Sequence, residues 1–191
     1  PRRVRSRTVA PPAAIERAYD DKKADTLAGL QREYETFFNP MENEQYTPDF
    51  EFADPMISYT GRDAHRSNVD MLSGSSALGR LLFSDCSLVM HNSTTAPGAA
   101  ALTTRWTLAF RFNLLPWKPL ARFTGVSEYT LDPDARLSRQ QDYWDSVNLV
   151  PGGGYATKPS LAALLDLLAQ LAPTDTAQAA SGRELPYVLL R

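Results

Sequence analysis

The 191-residue chain has one cysteine, Cys86, and two histidines, His65 and His91. A single thiol excludes an internal disulfide framework and any multi-cysteine metal site. Neither histidine lies in a His-x-His or acid-rich setting, so no metal is expected. Cys86 falls in a stretch that reads as strand, where a small buried hydrophobe is the expected role. No apolar run approaches the roughly 20 residues that span a bilayer. No Gly-rich phosphate loop is present, because Gly152-Gly153-Gly154 lacks a following Lys-Ser/Thr and a preceding apolar strand. No serine or cysteine stands in a nucleophile elbow. The net charge of −2 gives no electrostatic footprint for nucleic acid. No cofactor is expected.

What remains is an ordinary globular composition, 43% hydrophobic and 22% charged, long enough for one packed domain with tails. The charge is unevenly placed. Arg2, Arg3, Arg5 and Arg7 all precede the first acid, Glu16, and setting them aside takes the net charge from −2 to −6. Residues 1–12 read as a disordered basic stub, which fits either the remnant of an organelle-targeting peptide or a plain terminus. The chain begins at Pro1 without Met, so it is expected to be processed, trimmed or a fragment.

Leu27, Leu30, Tyr34 and Phe37/Phe38 step by three and four, which predicts a helix over 13–38 ended by Asn39-Pro40. A brief strand at Phe50–Pro55, an extended Met56–Tyr59 and a polar helix from Gly61 to Leu72 follow. Phe83–Thr95 alternates as a strand. So does Ala101–Phe112, with Trp106, Leu108, Phe110 and Phe112 opposite Arg105, Thr107, Ala109 and Arg111. Arg122–Leu131 and Leu137–Ser146 form a hairpin around Asp132-Pro133-Asp134-Ala135. Ser160 is expected to cap a leucine-rich helix, Leu161–Leu171.

Helices followed by a run of long antiparallel strands give an α+β fold: a cone-shaped, strongly curved antiparallel sheet wrapped on N-terminal helices, plus a C-terminal leucine-rich helix. The cone domain is placed at 13–150, the Gly hinge and leucine helix at 151–173, and a linker with the start of a further domain at 174–191. The inside of the cone is the natural ligand site.

The succession Tyr46-x-x-x-Phe50-x-Phe52-x-Asp54-Pro55, Gly61, Thr104-Arg105-Trp106-Thr107-Leu108, Pro116-Trp117-Lys118-Pro119, Gly125-x-Ser127 and Asp142-Tyr143-Trp144-Asp145 resembles a plant and algal chloroplast domain. That domain belongs to the SnoaL-like (nuclear-transport-factor-2-like) superfamily. The likeness covers roughly residues 25–150. It implies a chloroplast location and an uncharacterised molecular function. Such domains occur upstream of SOUL haem-binding domains, and Glu184–Arg191 looks like the opening of one. Haem binding is not carried over to these residues.

Two acids are candidate general bases. Asp54 precedes a proline where cone folds place a polar residue at the pocket mouth; the plainer reading is a turn aspartate. In Asp142–Asp145, strand parity sends one acid to each face. Continuing the hairpin from Leu131 opposite Leu137 groups Phe123, Ser127, Tyr129 and Leu131 with Leu137, Gln141, Tyr143 and Asp145. That face is the more apolar, so Asp145 is assigned to the cone; a one-residue bulge would reverse this. The alternative is that the acids end the strand and pair with Arg105 or Arg122. Candidate ligand-lining residues are Tyr59, Met90, Trp106, Phe123, Tyr129 and Tyr143, with Trp106 also explained as plain core.

Pro116, Trp117 and Pro119, together with Leu164 and Leu168, form a candidate partner surface. For the loop, the alternative is that Trp117 folds over the cone rim; for the helix, that its leucines cover the sheet. The expected partners are a small apolar ligand and a protein partner or second copy. The favoured function is a non-catalytic chloroplast module that binds an apolar ligand or docks as an accessory subunit. The alternative is a cone-fold isomerase, cyclase or hydratase working through one pocket aspartate.

Overall fold

A computed structural model describes residues 12–173. The expectations for the basic stub at 1–11 and for the linker and further domain at 174–191 lie outside the described residues. Helix α1 runs from Pro12 to Glu35 and is followed by a 3-10 turn at Asn43–Gln45. Strands β1 (Tyr46–Ala53) and β2 (Ser58–Thr60) lead into helices α2 (Arg62–Leu72) and α3 (Ala77–Leu82). Four strands follow: β3 (Phe83–Thr94), β4 (Ala101–Phe112), β5 (Leu120–Leu131) and β6 (Leu137–Trp144). The short helical turn α4 (Asp145–Asn148) and helix α5 (Ser160–Leu171) complete the described chain.

One sheet holds all six strands in the order β2-β1-β6-β5-β4-β3. β1 and β6 pair in parallel and every other neighbour is antiparallel. The fold is therefore the expected α+β cone, a curved sheet closed by helices. The middle of α1 is tied to two β-turns. Buried Lys23 donates to the carbonyls of Ala96 and Ala99. Thr26 donates to Ala135 O at 2.7 Å. The sheet thus grips the helix through backbone acceptors at both hairpin ends, and these buried polar groups are satisfied as burial demands.

α1 ends earlier than the apolar stripe predicts. Phe37 and Phe38 take left-handed backbone (φ 52° and 58°), and Phe38 still buries its ring in the core. Turning the chain there lets both aromatic rings face the cone after the helix has stopped. α3 contains Gly79, which reads as a breaker in the sequence. A Cβ at Gly79 would strike the carbonyl of Met71, so the residue permits α3 to pack against the end of α2.

The β5–β6 hairpin register departs from simple alternation. Leu131 does pair with Leu137, but Thr130 then pairs with Arg139, and the offset persists through Tyr129–Gln140, Ser127–Asp142 and Gly125–Trp144. Ser138 is the extra residue of a one-residue bulge. Beyond it the facing set is inverted: Gln140, Asp142 and Trp144 join Tyr129, Ser127 and Phe123 inside. β6 also stops at Trp144, two residues short of the expected end, because Asp145 opens α4.

The leucine helix differs too. Leu161, Leu164, Leu165 and Leu168 are exposed, whereas Ala162, Ala163, Leu167 and Leu171 pack against the core. α5 therefore meets the sheet with its small residues and leaves its leucine stripe outward. Ser160 is the first residue of α5, and no side chain caps that end.

Candidate active site

The inside of the cone is mostly filled. Trp106, Phe110, Phe123, Trp144, Leu102, Phe50 and Phe52 are buried on one another, with ring pairs such as Phe123–Trp144 at 4.6 Å. A cavity of about 80 Å³ remains among Tyr34, Phe37, Phe38, Phe52, His65, Asn68, Val69, Leu72, Leu88, Trp106, Leu108, Gln140 and Asp142. This is well below the roughly 300–1,000 Å³ of sites for drug-sized molecules. It suits a small compound.

Asp142 is the acid on the cavity wall. It enters through the bulge at Ser138, and its carboxylate is anchored by neighbours in sequence and across the hairpin. Ser127 Oγ donates to Oδ1 at 2.6 Å, and Gln140 Nε2 donates to the same oxygen at 2.8 Å. Ser127 in turn accepts from Trp106 Nε1 at 2.8 Å. Oδ2 takes part in none of these bonds. No arginine or lysine forms an ion pair with Asp142 among the described residues. Burial raises the carboxyl to about 7; the Ser127 and Gln140 bonds oppose that rise and the nearby Asp54 adds to it.

Asp142 also borders a second cavity of about 120 Å³, with Asp54, Pro55, Gln141, Tyr143, Asn148, Thr157, Lys158 and Ser160. Asp54 is a turn aspartate: its Oδ1 accepts from the backbone N–H groups of Met56 and Ile57, both at 2.7 Å. Burial nonetheless raises it above the ordinary carboxylate range. The two candidate acids closest to the cone are thus Asp142 inside and Asp54 at the edge.

Asp145, assigned to the cone by strand parity, lies on the other side of the sheet. Arg105 grips it with both guanidinium nitrogens, one at 2.6 Å, while Thr124 and Tyr155 donate to it at 2.7 and 2.8 Å. Burial alone would raise this carboxyl, but the bonds from Arg105, Thr124 and Tyr155 outweigh it and hold it below the usual range. It is a structural anion, not a base.

The six expected lining residues divide. Trp106 lines the cone cavity and Tyr143 the outer one, stacked on Tyr155. Tyr59 backs the cavity through a 2.9 Å hydrogen bond to His65 Nδ1. Phe123 and Tyr129 are core: Phe123 packs on Trp144, and Tyr129 shares a hydroxyl network with Tyr34 and Thr104. Met90 packs, half-buried, against the core from β3. On the expected partner surface, Pro116, Trp117, Leu164 and Leu168 are exposed and Pro119 is buried. Trp117 donates to Leu171 O, joining the loop to the end of α5.

Sequence reasoning missed His65 as a site residue. It is 2% exposed and surrounded by the rings of Phe38, Tyr46, Phe50, Phe52 and Tyr59. Its spacing from Val69 placed it on the inward face of α2, which was the available signal. Burial pushes its pKa down to about 3, so the ring is neutral. Among the described residues no group of acids, histidines and cysteine is arranged to hold a metal ion.

Residues 24–140 match a family model described as an uncharacterized conserved protein, DUF2358. The chain belongs to the DUF2358 family. No curated protein matches it. Solved structures place this DUF2358 chain in the SnoaL-like, nuclear-transport-factor-2-like fold. A candidate SnoaL-like polyketide cyclase from Jannaschia sp. CCS1 aligns with TM-score 0.54 at 15% identity, over 87% of this chain and 99% of that one. A candidate polyketide cyclase from Silicibacter sp. TM1040 gives TM-score 0.54 at 11% identity, over 80% and 96%. TsrD from Streptomyces laurentii gives TM-score 0.53 at 12% identity, over 80% and 96%. At these identities the likeness is one of fold.

Proposed function

We propose that this DUF2358 chain binds a small, largely apolar carbonyl compound in the cone and moves a proton on it through Asp142. The carrying observation is a half-buried carboxyl on the wall of an aromatic cavity with no cation paired to it among the described residues. A scaffold has no need for such a group, since an acid drawn out of water without a cation only costs stability. The sequence favoured a non-catalytic module. The position of Asp142 shifts the reading to the isomerase or cyclase class, and the names of the cyclase-like fold neighbours are compatible with it.

The chemistry follows from the anchoring. Oδ1 is held by two donors, so the proton of the acid form belongs on Oδ2. A carboxyl with a pKa of about 7 is divided between its two forms near neutrality, which suits a group that must both take and return a proton. Trp106 fixes Ser127, Ser127 fixes Asp142, and the desolvation this site imposes keeps the acid above the ordinary carboxylate range.

Deuterium uptake at the α-carbons of butanone and acetoin, followed by NMR, tests this. The protein should accelerate exchange, and Asp142→Asn should lower the acceleration by about 100-fold or more. Exchange by the native protein no faster than buffer would sink the proton-transfer reading. The same variant checks the carboxyl. A folded-state pKa above the unfolded one contributes stability that is complete below about pH 4 and lost as pH rises through about 7. Asp142→Asn should therefore flatten part of the decline in stability between about pH 4 and 7; Glu33, raised by burial to about 7, and Asp54, raised by burial as well, contribute to the rest.

The arginines at positions 2–7 and the family resemblance support a chloroplast setting for this activity. Import of the tagged precursor into isolated chloroplasts is the expected result, and exclusion from them would remove that part of the proposal.

A further inference from the structure

Five buried side-chain polar atoms among the described residues lack a hydrogen-bond partner. Gln45 Oε1, Thr47 Oγ1 and Arg62 Nε belong to residues outside the cone cavity. The other two, His65 Nε2 and Gln140 Oε1, belong to residues that line it. Their host side chains are 2% and 5% exposed. A buried group left without a partner is costly, and one cavity holding two of them is a cavity built for something polar.

The two atoms differ in kind. Gln140 donates through Nε2 to Asp142, which leaves Oε1 as an acceptor. The character of His65 Nε2 follows from its neighbours. The Tyr59 hydroxyl lies 2.9 Å from His65 Nδ1. If Nδ1 carried the proton, the Tyr59 hydrogen would have no acceptor among the described side chains, and Nε2 would be an unmet acceptor as well. With the proton on Nε2, Tyr59 donates to Nδ1 and Nε2 is the one atom of the pair left unmet. Nε2–H is then a donor without an acceptor.

We infer that these atoms are the recognition pair of the cone: the ligand presents a carbonyl oxygen to His65 Nε2–H and a hydroxyl to Gln140 Oε1, so its class is a small hydroxy-carbonyl compound. The inference rests on the reading of the cone as a ligand site. His65 is a positioning and specificity residue here, orienting the carbonyl while Asp142 meets the adjacent carbon.

The test uses the full chain and three probes in NMR titrations: acetoin, butanone and sec-butanol, which carry both groups, the carbonyl alone and the hydroxyl alone. Acetoin should bind tightest. His65→Phe should weaken acetoin and butanone by about 10-fold and leave sec-butanol unchanged. Gln140→Leu should weaken acetoin and sec-butanol and leave butanone unchanged. His65→Gln, which keeps an N–H donor, should recover part of the loss, and it serves if the phenylalanine variant fails to fold. Independently of any ligand, the side-chain ¹⁵N spectrum should show His65 protonated at Nε2, and Tyr59→Phe should mix the tautomers.

Protonation at Nδ1 overturns the inference. So does equal binding of the three probes, which would mean that the orphan atoms are served by water alone. Native protein that binds acetoin through His65 but exchanges no deuterium defeats the proton-transfer reading and leaves this one standing. Native protein that binds none of the probes defeats this one.

Discussion

Gly125→Ala should cost the fold on the order of 4 kcal/mol, read as a fall in the denaturant midpoint with little change in slope. Gly125 sits in β5 directly between Trp106 on β4 and Trp144 on β6. A Cβ there would lie 2.7 and 2.8 Å from Cζ2 and Cη2 of Trp106 and would also strike the Tyr143 carbonyl. The carbonyl belongs to the sheet ladder, so the β5–β6 pairing is strained there, and the indole must move as well. Moving it breaks the Nε1–Ser127 bond, and with it the chain that fixes Asp142. Overpacking alone accounts for about 1–3 kcal/mol, and the loss of a buried hydrogen bond adds about 1–2. Trp106→Phe combined with Gly125→Ala should recover only the indole's share of the overpacking, because the Cβ would still strike the Tyr143 carbonyl, and none of the Ser127 bond. A Gly125→Ala protein as stable as the native one would show that the sheet relaxes freely at this point, against the packing described above.

Arg105→Met should destabilise by about 3–5 kcal/mol near neutral pH, because Asp145 would stay buried without its cation. The side chains of Arg105 and Asp145 retain 15% and 4% of their exposure, so this is not a surface pair. The sign of the pH dependence follows from the lowered carboxyl. Its contribution is present above about pH 4 and is lost as pH falls through the still lower folded-state value. The penalty of Arg105→Met should therefore shrink on acidification as the stranded carboxyl takes up a proton. The double variant Arg105→Met, Asp145→Leu should return close to native stability, since replacing both members of a buried pair leaves no uncompensated charge. A single variant that unfolds like the native protein across this range would show the pair to be solvated.

The fold was legible because its signals are periodic. Trp106, Leu108, Phe110 and Phe112 alternate with polar residues through β4, and Leu27, Leu30 and Tyr34 step along α1; periodicity of this kind reports burial directly. The site was half legible. The tetrapeptide at 142–145 stood out as the place where an acid meets the cone, but the sequence pointed to the wrong one. Parity along a strand is read by counting, and one uncounted residue, Ser138, reverses it. His65 escaped for a different reason. A histidine in a polar helix next to Arg66 and Asp63 looks solvated, and only the meeting of α2 with Phe50, Phe52 and Tyr59 from other elements shows it buried. The leucine stripe of α5 misled in the opposite direction: apolar periodicity marks a face that can be buried, and α5 meets the sheet through Ala162 and Ala163.

The bulge at Ser138 has a consequence for how this site is encoded. The two acids of Asp142-Tyr143-Trp144-Asp145 stand three positions apart, so they always have opposite parity. Either register of the hairpin therefore delivers one acid to the interior and one to Arg105's side. Which carboxyl is free and which is paired is decided by chain length within a single β-turn hairpin, not by the identity of any residue in the tetrapeptide. The acidity of the cone is thus addressed by counting, and a gain or loss of one residue near position 138 rewrites the address while leaving every acidic side chain in place.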